Sequence, residues 1–203
     1  EEMLVLDNQL YAFSAKTISR VLTADQIDPK RTHPGTRHSH QKLYDVGCRN
    51  SFVARSIIQA KRILDGVVLK KELEKTLVLD AVWEASQLLL QCERSHFRIY
   101  GGVMALLPEV DQVIEKSKST HAISSLPQVA DLEEQVSAFL GSAKRFLEKA
   151  HSLLCLFYGC PNKESSFRAY REWMEANRND NQKVTDLLHG DQEWIRFIAE
   201  ARN

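Results

Sequence analysis

Cysteine, glycine and proline are all scarce in this chain. The four cysteines, Cys48, Cys92, Cys155 and Cys160, contain no Cys-x-x-Cys pair, so a zinc ribbon or a thioredoxin-like dithiol is excluded and all four are expected to be reduced thiols. Eight glycines and five prolines leave no room for a low-complexity linker, and one domain spanning residues 1–203 is expected. Net charge of one sign is missing too: Lys plus Arg and Asp plus Glu each total 27, so nucleic acid held by global charge is excluded and any such contact must be a local patch. The longest apolar runs, such as Leu153 to Tyr158, are far short of the ~20 residues that span a bilayer. The acidic start Glu1-Glu2-Met3 lacks the basic front of a signal peptide, and a cytoplasmic location is expected. Phosphate-loop, dinucleotide and nucleophile-elbow motifs are absent, so no cofactor is expected.

What the chain has is helical periodicity. Val129, Leu132, Val136, Phe139, Ala143, Phe146, Ala150, Leu153 and Phe157 recur by threes and fours, and Leu140, Leu147 and Leu154 add a neighbouring row. This predicts one helix of about 43 Å, long enough to organise a domain. Further helices are predicted from Ser14 through Ile18, Val21 and Leu22, from Leu43 to Asp65-Gly66, and from Val68 to Tyr100. Gly101-Gly102 then breaks the pattern and Pro108 interrupts the segment after it. Ser125-Leu126-Pro127-Gln128 reads as a capping box opening the long helix. Shorter helices follow around Phe167 to Met174, Val184 to Leu188 and Trp194 to Ile198. No sustained alternation bounded by hairpin turns stands out, so the expected fold is all-α: a bundle of long antiparallel helices with a flexible loop at 23–40.

That loop has the most unusual composition in the chain. Lys30, Arg31, Arg37 and Lys42 form the best basic patch and are the candidate nucleic-acid contacts. His33, His38 and His40 offer three imidazoles, but Arg31 and Arg37 repel a cation and no cysteine assists, so no metal site is expected. Arg31 with His38 and Arg145 with His151 have a spacing that chance alone supplies in a chain of this composition. Trp83, Trp173 and Trp194 sit at helical positions, where core packing is the ordinary explanation.

The ending, Asp191 to Asn203, is an amphipathic helix that closes on Arg202-Asn203. It resembles the signature of HEPN domains, all-α modules that carry Arg, a polar residue and, a few positions later, His. Arg202 and Asn203 would be the catalytic half of that signature, with the His beyond Asn203. The resemblance implies a homodimer whose paired Arg and His cleave RNA without metal, imidazole moving the proton and guanidinium steadying phosphate, or an inactive relative in a defence or toxin-antitoxin system. The alternative expectation is a non-catalytic helical module that binds a partner protein or itself, motivated by the width of the apolar faces.

Overall fold

The computed structural model describes residues 1–69, 73–120, 125–159, 167–177, 182–190 and 192–201. Their order is β1 (Glu2–Leu6), β2 (Gln9–Phe13), β3 (Ile18–Leu22), α1 (Ala24–Ile27), β4 (Ser39–Tyr44), α2 (Ser51–Val53), a π-helical turn (Ala54–Ile58), α3 (Gln59–Gly66), α4 (Lys75–Thr120), α5 (Leu132–Tyr158), α6 (Phe167–Asn177), α7 (Gln182–Gly190) and α8 (Gln192–Glu200). The chain divides into two compact units, residues 1–87 with 152–159, and residues 88–151 with 160–203.

The all-α expectation is overturned by the first unit, which opens with a four-stranded antiparallel meander in the order β1-β2-β3-β4. Leu4 and Leu6 on β1 and Tyr11 and Phe13 on β2 alternate with period two and are buried. Leu4 pairs with Tyr11 and Leu6 with Gln9 across the strands. Asp7 and Asn8 join them with φ of 49° and 56°, the two left-handed residues of a tight hairpin that matches strand twist. The helix expected at Ile18 to Leu22 is β3 instead. Five residues with apolar groups at the first, fourth and fifth positions fit either period, and pairing with β2 and β4 decides it.

The expected flexible loop at 23–40 holds α1, begun by a capping box of Thr23 and Gln26, and the start of β4. Leu43 and Tyr44, expected in a helix, close that strand; helix begins only at Ser51, where the Asn50 side chain accepts from the Phe52 and Val53 amides. Between them the backbone folds onto the β2–β3 turn, with the Cys48 amide donating to the Ser14 carbonyl at 2.8 Å and the Arg49 amide to Ala15 at 3.1 Å. Gly47 permits this approach, because a Cβ there would stand 2.1 Å from the Ser14 oxygen.

Trp83 on α4 is the centre of the first unit. Its ring lies 5.2 Å from Tyr11, 5.4 Å from Phe13 and 6.3 Å from Tyr44, so one helix residue packs against both β2 and β4. Ile57, Ile58 and Val53 complete the core from the helical side. Ser86, also buried, donates to the Val82 carbonyl and sits 2.8 Å from the Ser56 hydroxyl on the π turn.

In the second unit, α4 runs through both Gly101-Gly102 and Pro108 without a break, against the expectation. Gly102 serves close packing there: a Cβ would come 2.9 Å from Val129 Cγ1. The helix-interior cost of Pro108, about 3 kcal/mol, is offset by packing along α5, on whose side Leu106 and Val110 are half-buried. The α5 helix starts at Leu132 rather than beside Ser125, and its buried line is Ala143, Leu147 and His151. The core row therefore lies beside the expected stripe, through Leu147, and Phe146 is only half-buried.

Candidate functional site

The basic segment is ordered around one carboxylate. Asp28 accepts the His33 amide at 2.7 Å and the Thr32 hydroxyl at 3.0 Å, and the Thr36 amide donates to the His33 carbonyl at 3.0 Å. Those donors, the His33 amide first, hold the Asp28 carboxyl below the usual carboxylate range. Arg31, at φ 51°, pairs with Asp25 at 2.6 Å, and Lys42 pairs with Asp45 at 2.6 Å. Two of the four expected phosphate contacts are thus already engaged by acids, while Lys30 and Arg37 are exposed. His33, His38 and His40 are exposed as well; the rings of the last two are 5.9 Å apart. No group of three His, Cys, Asp or Glu side chains is placed to hold a metal among the described residues.

Arg145 and His151 fall on different sides of α5. Arg145 is exposed, whereas His151 is buried with its ring 5.1 Å from Tyr170 and 5.6 Å from Phe167. Burial pushes its pKa down, because the charged ring loses hydration among aromatic neighbours. Of the three tryptophans, Trp83 is buried, Trp173 half-buried and Trp194 exposed. Arg202 and Asn203 lie outside the described residues. Cys48, Cys92 and Cys155 are in no disulfide; Cys160 also lies outside the described residues.

A concave feature of the second unit was not legible in the sequence. A groove of about 990 Å³ runs between the later half of α4 and the start of α5. Val103, Leu107 and Val110 form one wall, Leu132, Val136 and Leu140 the other, and Pro127 and Val129 line the end where the chain enters α5. Ala201, just past α8, also lines it. Among the described residues the charged lining is acidic: Asp131 and Glu133 contribute, and no Lys or Arg does. Its walls are apolar residues left partly in solvent, among them Val103, Leu107, Leu132 and Val136. Gly101-Gly102 and Pro108 hid this surface from sequence reading, since they suggest two short helices where one continuous wall exists.

Among the described residues no helix is long and apolar enough to cross a membrane. No family model matches this chain, and neither a curated protein nor a solved structure matches it.

Proposed function

We propose that this chain is a non-catalytic protein-interaction module whose second unit receives an amphipathic helix with basic flanks. The observation that carries the reading is the open apolar groove between α4 and α5, with carboxylates and no cationic side chain among the described residues of its lining. Two parallel walls of aliphatic side chains suit the ridge of a helix, which buries anchors at intervals of three and four residues. Asp131 and Glu133 favour Lys or Arg beside those anchors and disfavour an acidic partner. The RNA-cleaving alternative depends on Arg202 and Asn203, outside the described residues, and on a basic segment in which Arg31 and Lys42 are paired with Asp25 and Asp45.

The probe for this reading is a fluorescent Leu/Lys amphipathic helical peptide, compared with its Leu/Glu counterpart by anisotropy. The Leu/Lys peptide binds more tightly to the native chain, and Val136→Asn weakens it about tenfold, the size of one lost apolar anchor. Asp131→Asn combined with Glu133→Lys reverses the preference between the two peptides. Equal binding of both peptides by the native chain, or no effect of Val136→Asn, would overturn the reading.

A further inference from the structure

A second surface on α4 adjoins the groove and shares Leu107 with it. Phe97, Tyr100, Met104, Leu107 and Ile114 are 62%, 55%, 46%, 44% and 46% exposed, and Asp111 occupies the remaining place in their 3-4-3-4-3 spacing. That alternation of three- and four-residue steps follows the heptad pattern, which keeps a seam straight along a second helix, the requirement for side-by-side pairing of two long helices. At 100° per residue Gly102, which abuts Val129, lies about half a turn from the seam, and Cys92, whose Sγ reaches the Phe139 carbonyl on α5, about a third of a turn. The exposed seam is therefore not the internal face. From Phe97 to Ile114 it covers about 26 Å at the helical rise, so its partner must be a straight helix of nearly five turns.

The polarity of the seam selects that partner. Glu93 and Lys118 continue the line four positions beyond Phe97 and Ile114, one end acidic and the other basic. Parallel pairing of two copies would oppose Asp111 to Asp111 inside an apolar seam, two like charges with no water to separate them. Antiparallel pairing about a twofold axis between Met104 and Leu107 sets Phe97 against Ile114 and Met104 against Leu107. It also sets Tyr100 against Asp111, a phenol donor for the carboxylate, and Glu93 against Lys118. A single polar residue in an otherwise apolar seam fixes register in this way at some cost in stability.

We propose that the Phe97–Ile114 seam of α4 pairs antiparallel with the same seam of a second copy, forming a homodimer. Leu107 is common to the seam and the groove, and the proposal is tested apart from the groove at Met104 and Tyr100, which do not line it.

Light scattering on the full chain tests it. The expected mass is twice 23.2 kDa in the micromolar range, and Met104→Asp or Tyr100→Asp returns it to a single copy with an unchanged far-ultraviolet circular dichroism spectrum. Because both positions are exposed, the variants have no core to lose. Orientation is read by mixing Tyr100→Cys and Asp111→Cys chains, oxidising, and identifying linked peptides by mass spectrometry. A disulfide joining the two substituted positions in the mixture is expected, with no self-linked product from either variant alone. Val136→Asn, which blocks the groove, leaves the dimer mass unchanged, so the two readings fail separately. A single-copy mass throughout, a dimer that survives Met104→Asp and Tyr100→Asp, or self-linked products at position 100 or 111 would overturn the proposal.

Discussion

The carbonyl oxygen of Ser14 lies 2.1 Å from the point where a side chain on Gly47 would begin. No rotamer change relieves that overlap, because the obstructing atoms, including the Thr17 amide nitrogen at 2.7 Å, are backbone. Gly47→Ala must push the segment before α2 off the β2–β3 turn and break the bonds from Cys48 and Arg49. The expected loss is about 3 kcal/mol, at the upper end for overpacking. Urea unfolding followed by tryptophan fluorescence measures it; a midpoint equal to that of the native chain would show that the contact yields freely.

The core row of α5 passes through Leu147, 7% exposed, and not through Phe146. Leu147→Ala is expected to cost about 2 to 5 kcal/mol, since it removes a buried branched side chain and leaves a cavity. Phe146→Ala should cost less despite the larger ring, because water already reaches part of it. Chemical denaturation of both variants ranks them, and the reverse order would move the buried row back to Phe146.

Burial of His151 gives stability a pH dependence of fixed sign. Its folded pKa is depressed below the ordinary value of 6.5, so the unfolded chain binds the proton more readily. The contribution is whole above about pH 6.5 and is lost as pH falls through the depressed folded value. Thermal melts of the native chain should therefore drop between neutral and mildly acidic pH more steeply than those of His151→Leu. Parallel pH profiles for the two proteins would mean that the ring is hydrated.

Asp28 organises the segment that composition marks as a loop. Asp28→Ala removes the acceptor of the His33 amide and the Thr32 hydroxyl, and hydrogen exchange at the His33 amide should accelerate sharply. In the native chain the same protection should persist at neutral pH and fade as acid titrates the carboxylate through its lowered pKa, since protonation removes the charge that the donors favour. The opposite trend, protection gained in acid, would remove Asp28 from this role.

The sequence by itself determined the helical majority of the fold. Periodicity over tens of residues marks α4 and α5 wherever they are interrupted, and Asp191 to Asn203 carries the resemblance on which a dimeric RNA-cleaving reading rests. Short elements were decided otherwise. Ile18 to Leu22 has too few residues to reveal its period, and only its pairing between β2 and β4 makes it a strand. The alternation of Leu4, Leu6, Tyr11 and Phe13 around Asp7-Asn8 was present in the sequence but needed Trp83, seventy residues away, to give its inner face a partner. Gly102 and Pro108 spell helix breaks locally. Packing in the second unit overrides them, because Gly102 closes on Val129, ahead of α5, and the cost is confined to single turns. The groove and the exposed seam follow from that override: only a continuous α4 brings Val103 to Val110 opposite Leu132 to Leu140 and carries Phe97 to Ile114 along one line.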